Sequence, residues 1–172
     1  ISSFRTAARF LLRFNLFAIP LYAIILTGWQ LPQLIEATAA AVQFLLGAAG
    51  VPFERTGLVF SIPVSGGSWG AVINWDCVGW KSMLAAFALV MATDFTMRKK
   101  LKGLAMILPV IYAANLLRIS FLMWFVTAYD TAYFAVAHAA LWSWGLLAVV
   151  AVSWGLWMLK TQTAGSSKKL RY

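Results

Sequence analysis

The stretch from Gly103 to Thr127 is apolar along most of its length and carries a single charged side chain, Arg118. A helix needs about 20 predominantly apolar residues to cross a lipid bilayer, and this run meets that requirement. The whole chain of 172 residues is 62% hydrophobic and 11% charged, with a mean hydropathy of +0.81. A soluble domain of this size cannot bury so much apolar surface. The sequence therefore predicts an all-α integral membrane protein.

Basic residues orient the predicted spans. Most of the 14 lysines and arginines flank apolar runs, as is typical of cytoplasmic loops, and they form no polar face that would suit nucleic acid. We predict cytoplasmic termini and a multi-pass protein of the cell membrane. Residues 1–160 would form a single membrane domain and residues 161–172 a flexible polar cytoplasmic tail. The predicted spans number about four, at roughly 10–29, 77–97, 103–127 and 133–159.

The segment between the first two spans must begin and end outside the cell. Residues 34–47 are too short to span comfortably, and Glu36 and Gln43 share one helical face. An amphipathic helix on the outer surface is the first interpretation, and a short re-entrant helix is the alternative. Residues 58–64 and 70–75 have strand-like composition around the turn signal at 65–68, which predicts a small extracytoplasmic β-hairpin.

Three polar side chains on separate predicted spans lie at a similar depth. From the nearest basic cluster, a rise of 1.5 Å per residue places Cys77 about 31 Å, Arg118 about 24 Å and His138 about 33 Å above the inner surface. The hydrocarbon core is about 30 Å thick, so all three lie near the outer boundary. Nothing about crossing a membrane requires this coincidence.

These residue types suit cysteine catalysis. Cys77, the only cysteine, can supply a nucleophilic thiolate, and a helix N-terminus would lower the pKa of its thiol. His138, the only histidine, can accept the thiol proton and later protonate a leaving amine. Arg118 can stabilise an oxyanion or hold a substrate. Three supporting residues are also predicted: Asn115 could position Arg118 or a carbonyl, Asp76 could orient His138 or pair with Arg118, and Lys81 could favour the thiolate.

Each residue also has an ordinary structural explanation. Cys77 could be a small core residue, Arg118 and Lys81 could extend toward lipid headgroups, and Asp76 could cap the following helix. Most aromatic residues near the span ends, Trp75 and Trp80 among them, are expected to form an interfacial belt. One histidine and one cysteine are too few soft ligands for zinc, so no metal is predicted.

The motifs "DCVGWKS" at Asp76–Ser82, "NLLRIS" at Asn115–Ser120 and "AHAALW" at Ala137–Trp142 together resemble the exosortase/archaeosortase family. The resemblance covers roughly residues 57 to 142. It implies a multi-pass membrane cysteine transpeptidase with catalytic Cys77, Arg118 and His138 and without a cofactor. It also implies that the partners are secreted proteins whose C-terminal sorting signal combines a short motif, a transmembrane helix and a basic cluster.

We therefore predict an enzyme that cleaves such a signal at the outer membrane face through a thioester. The new C-terminus would pass to an amine acceptor, for which a lipid headgroup is one candidate. Two alternatives stay open at this point. One is an intramembrane cysteine protease that cleaves without transfer, and the other is a non-enzymatic transporter or assembly subunit, with Arg118 and His138 lining a path.

Overall fold

A computed structural model of the chain describes residues 2–64, 67–129, 134, 138–139 and 144–169. The described residues are mainly helical, with one small sheet. The helices are α1 (Ser2–Phe17), α2 (Ile19–Thr27), α3 (Pro32–Ala48), α4 (Trp80–Ala92), α5 (Met97–Tyr129) and α6 (Leu146–Lys169). The strands are β1 (Glu54–Thr56), β2 (Val59–Val64) and β3 (Gly67–Val72), and a 3-10 turn (Trp75–Val78) precedes α4.

The chain divides into two compact units. The first unit comprises residues 1–28, 81–111 and 147–172, and the second comprises residues 29–80 and 112–146. The core of the first unit brings α4, α5 and α6 together through small and branched side chains and one indole. Its buried members are Ala86, Val90, Leu104, Ile107, Ile111, Val150 and Trp157.

The second unit packs α3 and the sheet around their own buried faces. In α3 the buried positions recur every three or four residues, as expected for one face of a helix: Ile35, Thr38, Ala39, Val42 and Leu46. The three strands are antiparallel in the order β1-β2-β3, and Phe60 and Ile62 of β2 are fully buried on one face. This alternation is the period-2 pattern of a half-buried strand.

Arg55 of β1 connects the sheet to α3. Its guanidinium pairs with Glu36 and donates a 2.6 Å hydrogen bond to Gln43 Oε1, and it lies 5.7 Å from the ring centre of Phe60. The prediction that Glu36 and Gln43 share a helical face agrees with this geometry, because one side chain binds both. The sheet has three strands rather than the two expected, and β3 begins at Gly67. The tip of the predicted turn, residues 65–66, lies outside the described residues.

The helices differ in length from the predicted spans. Among the described residues, α5 alone is long and apolar enough to cross a membrane, and α1 with α2 adds a second crossing if this pair, bent by 40°, is one span. Helix α4 has 13 residues, or about 20 Å, which is shorter than the span predicted from Cys77 to Met97. The number of crossings and the side of the membrane on which the sheet lies stay predictions.

Two further differences concern where the helices begin and end. Helix α4 begins only after Gly79, whose φ of +78° is left-handed and separates it from the preceding turn. Helix α6 continues to Lys169, past the predicted end at residue 159 and through much of the segment predicted to be a flexible tail. Most of residues 130–143, where the last span was predicted to begin, lie outside the described residues.

Candidate active site

Cys77 lies in the short 3-10 turn that joins β3 to α4. Asn74 caps this turn, because its side-chain Oδ1 accepts hydrogen bonds from the backbone N–H groups of Asp76 (3.0 Å) and Cys77 (3.2 Å). The backbone N–H of Cys77 also lies 3.0 Å from the carbonyl oxygen of Asn74. Asparagine is among the preferred residues at such a position. Asn74 is therefore the N-cap of this turn, and the alternative roles of Asp76, as a cap or as a partner of His138 or Arg118, stay predictions.

A second asparagine holds the same turn from α5. Asn115 is fully buried, and its Nδ2 donates a 2.7 Å hydrogen bond to the carbonyl oxygen of Cys77. The carbonyl that Asn115 binds is that of Cys77 itself, and the two expected roles of Asn115, positioning Arg118 or a carbonyl, stay predictions.

Cys77, Arg118 and His138 line one cavity of about 170 Å³ in the second unit. Cys77 and His138 are half-buried, and Arg118 is buried at 9% exposure. The remaining wall is mostly apolar, with Trp69, Val72, Ile119, Leu122, Met123 and Phe134 among its members. The structure thus brings together the three residues predicted to be catalytic, while their catalytic roles stay predictions.

Aromatic rings support the histidine. The ring of Phe134 stacks on the imidazole of His138 with centroids 5.3 Å apart. The ring centroids of Trp69, in β3, and Phe134 are 4.7 Å apart. This arrangement limits the orientations that the imidazole can adopt.

Burial dominates the electrostatics of Cys77. It raises the pKa of the thiol above its ordinary value, and the negative charge of Asp76 raises it further. A backbone hydrogen bond from Asn74 and the positive charge of Arg118 lower the pKa, but they do not offset burial. The expectation of a thiol pKa lowered by a helix N-terminus is wrong, because Cys77 precedes α4 and lies in a partly desolvated turn.

The other supporting residues take different places. Asp76 is exposed and is not part of the cavity wall. Lys81 is exposed in the first turn of α4 and belongs to the first unit. The break at Gly79 interrupts the helical spacing that would place Lys81 and Cys77 on one face. Trp75 and Trp80, expected in an interfacial belt, are instead buried and stacked with centroids 5.5 Å apart.

The chain matches the sequence model of transmembrane exosortases over residues 2–158, nearly its whole length. The chain belongs to the transmembrane exosortase family. No curated protein and no solved structure matched it. The match extends beyond residues 57–142, which carry the resemblance described above, at both ends. This exosortase is accordingly a membrane protein from a family whose members are generally cysteine peptidases or transpeptidases.

The cavity of this exosortase offers a thiol, an imidazole and a guanidinium to one small volume. These groups can supply a nucleophile, a proton carrier and a fixed positive charge, which are the components of acyl transfer. Within the described part of the chain, no group of three His, Cys, Asp or Glu residues could hold a metal ion.

Three contributors to the exosortase site were missed from the sequence. Asn74 had a usable signal, since asparagine before a short helical turn is a capping signature. Phe134 also had one, since it stands four residues before His138, the spacing of neighbours on a helix face. Trp69 had none, because its contribution depends on how β3 and the segment around residue 134 meet in space.

Proposed function

We propose that this exosortase is a sortase-like cysteine transpeptidase. It cleaves the C-terminal sorting signal of secreted proteins at the extracytoplasmic face and transfers the new C-terminus to an amine acceptor, with a lipid headgroup amine as the leading candidate. The observation that carries this proposal is the shared cavity of Cys77, Arg118 and His138 in a chain of this family.

The first step needs a base. Because burial raises the pKa of the Cys77 thiol, the protonated form predominates at neutral pH, and the thiolate is the reactive nucleophile. His138 lines the same cavity and accepts the thiol proton on an imidazole nitrogen as Sγ attacks the scissile carbonyl carbon. A carbon–sulfur bond forms, and negative charge moves to the carbonyl oxygen, where Arg118 stabilises it.

Collapse of this intermediate breaks the carbon–nitrogen bond of the scissile peptide. The imidazolium of His138 gives its proton to the departing amine, which leaves with the transmembrane helix of the signal, and a thioester remains on Cys77. An acceptor amine then attacks the thioester and loses a proton to His138. The thiolate departs and regains a proton, so that the product is an amide and the enzyme is restored.

The cavity also limits the substrate. A volume of about 170 Å³ is well below the 300–1,000 Å³ typical of drug-sized ligand sites. It suits a short extended segment around one peptide bond and supports a motif of a few residues as the recognised element.

The proposal is tested by co-expression with secreted proteins that carry a C-terminal motif, helix and basic cluster. Cys77→Ala should abolish processing, His138→Ala should slow it by about 100- to 10,000-fold, and Arg118→Ala by about 100- to 1,000-fold. Gln33→Ala, an exposed change on α3, serves as the control and should process normally.

Mass spectrometry of the processed C-terminus identifies the reaction. An added amine-bearing group indicates transfer, whereas a free carboxylate indicates hydrolysis. Processing that persists at the wild-type rate in Cys77→Ala would refute the nucleophile and with it the proposed function.

A further inference from the structure

We propose that Asn115 is a positioning residue that sets the place of Cys77 relative to Arg118. This inference rests on the proposed function, because it assigns a role at the same site. The first observation is the 2.7 Å hydrogen bond from Asn115 Nδ2 to the carbonyl oxygen of Cys77. Asn115 is fully buried, so water does not compete for this bond.

Gly79 closes the turn directly against Asn115. A Cβ atom at position 79 would lie 2.9 Å from Cγ of Asn115 and 3.2 Å from both terminal atoms of its amide. The φ of Gly79, +78°, is also one that residues with side chains rarely adopt. The backbone after Cys77 therefore passes against the amide of Asn115 at a distance that only glycine permits.

The turn is thus held at both ends. Asn74 fixes its beginning through the backbone N–H groups of Asp76 and Cys77, and Asn115 fixes its end through the carbonyl of Cys77. Among the hydrogen bonds of the described residues, the one from Asn115 connects the backbone of Cys77 to α5.

Helix α5 also carries Arg118. Residues three positions apart in a helix are neighbours on one face, separated by about 4.5 Å along the axis. Asn115 and Arg118 therefore form one rigid turn that binds the backbone of Cys77 at one level and presents the guanidinium to the cavity at the next. A helical turn, which deforms little, sets the spacing between nucleophile and positive charge.

Asn115 also lowers the stability of the folded state, which is expected of a residue retained for function. Its Oδ1 is buried and accepts no hydrogen bond from the described residues. An unsatisfied buried acceptor destabilises the folded state, and an apolar residue of similar size would avoid the penalty. Buried polar groups without a hydrogen-bond partner are rare in proteins and are found mainly at functional sites.

Asn115→Leu separates positioning from stability. Leucine keeps the branched shape of asparagine, is larger, and removes both the donor and the unsatisfied acceptor, so the folded fraction and the thermal unfolding temperature are measured first and kcat is compared for folded protein only. The kcat for processing should fall by about 100-fold, because a displacement of about 1 Å is enough for such a loss, while KM changes by less than about twofold. Asn15→Ala, which removes an exposed asparagine of α1, is the matched control and should keep wild-type kcat.

A second readout needs no substrate. With the bond to α5 lost, the Cys77 thiol should become less buried, and the midpoint of its alkylation with pH should fall toward the ordinary cysteine value in protein that remains folded by size exclusion. Faster alkylation at neutral pH combined with slower processing is the signature of a released turn.

Asn115→Asp tests the donor itself. A protonated carboxyl can donate to the Cys77 carbonyl, whereas an ionised carboxylate repels it. The rate of Asn115→Asp relative to wild type should therefore fall as pH rises, while the relative rate of Asn115→Leu should stay flat. The pH dependence of Asn115→Asp relative to wild type decides the matter by itself if Asn115→Leu does not fold.

Two results would overturn the inference: kcat of folded Asn115→Leu within about threefold of wild type, or a relative rate of Asn115→Asp that is independent of pH. If Cys77→Ala is inactive and either result is obtained, only the role of Asn115 fails. If Cys77→Ala stays active, the proposed function fails instead.

Discussion

At the scale of single residues, the environment of Cys77 works against an unaided thiolate. Burial raises the pKa of the thiol, and Arg118 opposes this with its positive charge. A nucleophile that is protonated at rest and activated by a neighbouring base avoids unwanted reactions with small electrophiles. Because the thiol is protonated at rest, the proposed chemistry requires His138 as the base.

This balance predicts a pH profile. Alkylation of Cys77 by iodoacetamide requires the thiolate, so its rate should rise with pH to a midpoint above that of an ordinary cysteine. In Arg118→Ala the midpoint should move further up, because a charge that lowers the thiol pKa is lost, whereas Arg118→Lys should stay closer to wild type. The single cysteine makes mass spectrometry of the intact chain a direct measurement. A midpoint that is unchanged or lower in Arg118→Ala would contradict the electrostatic assignment.

The residues of the cavity show what a sequence can and cannot indicate. Cys77, Arg118 and His138 could be grouped beforehand because the fixed rise of a helix converts sequence distance into depth. Contacts made across the fold are not encoded in any local pattern. The bond from Asn115 to the Cys77 carbonyl and the contact of Trp69 with Phe134 depend on which surfaces meet.

At the scale of secondary structure, two helical glycines differ in what a side chain at their position would contact. A Cβ at Gly103 of α5 would lie 2.5 Å from Trp157 of α6, whereas one at Gly155 of α6 would have nothing within 4 Å. Gly103 therefore permits the close packing of these two helices within the core of the first unit, and Gly155 has no comparable steric reason.

Alanine at the two glycines should have opposite effects. Gly103→Ala should lower the free energy of unfolding by about 1–3 kcal/mol through overpacking against Trp157. Gly155→Ala should raise it by up to about 1 kcal/mol, because alanine favours a helix interior. Thermal unfolding in detergent, followed by tryptophan fluorescence, compares the pair. Equal shifts in the same direction would show that the contact with Trp157 does not restrict position 103.

Element boundaries were predictable only in part. The period of buried positions in α3 and the shared face of Glu36 and Gln43 follow from helical geometry. The start of α4 was misplaced because hydropathy continues smoothly through Gly79, while the left-handed backbone there ends the turn that holds Cys77. Hydropathy reports the solvent that a segment prefers and carries little information about where its backbone bends.

At the scale of the whole molecule, charge distribution is the basis for orientation. Basic clusters flank the apolar runs at residues 5–13, 98–102 and 168–171, and the positive-inside rule predicts that they lie on the cytoplasmic side. The cavity with Cys77 should then open toward the extracytoplasmic side.

Labelling of intact cells tests this orientation. A membrane-impermeant maleimide should modify Cys77 from outside at alkaline pH, where the thiolate is populated. In a Cys77→Ser background, Thr163→Cys near the end of α6 should react only after the membrane is permeabilised. Modification of Cys77 only from the cytoplasmic side would reverse the topology and exclude cleavage at the outer face.

The capping of the turn by Asn74 has a consequence for how the reaction's charge can be stabilised. In serine peptidases of the chymotrypsin type, the nucleophile's own backbone amide forms part of the oxyanion hole, and no side-chain substitution can remove it. Here the backbone N–H of Cys77 is already engaged by the carbonyl and side-chain oxygens of Asn74. That amide is therefore engaged within its own turn, and in the proposed mechanism the developing charge is met by Arg118, a side chain that a single codon change can delete.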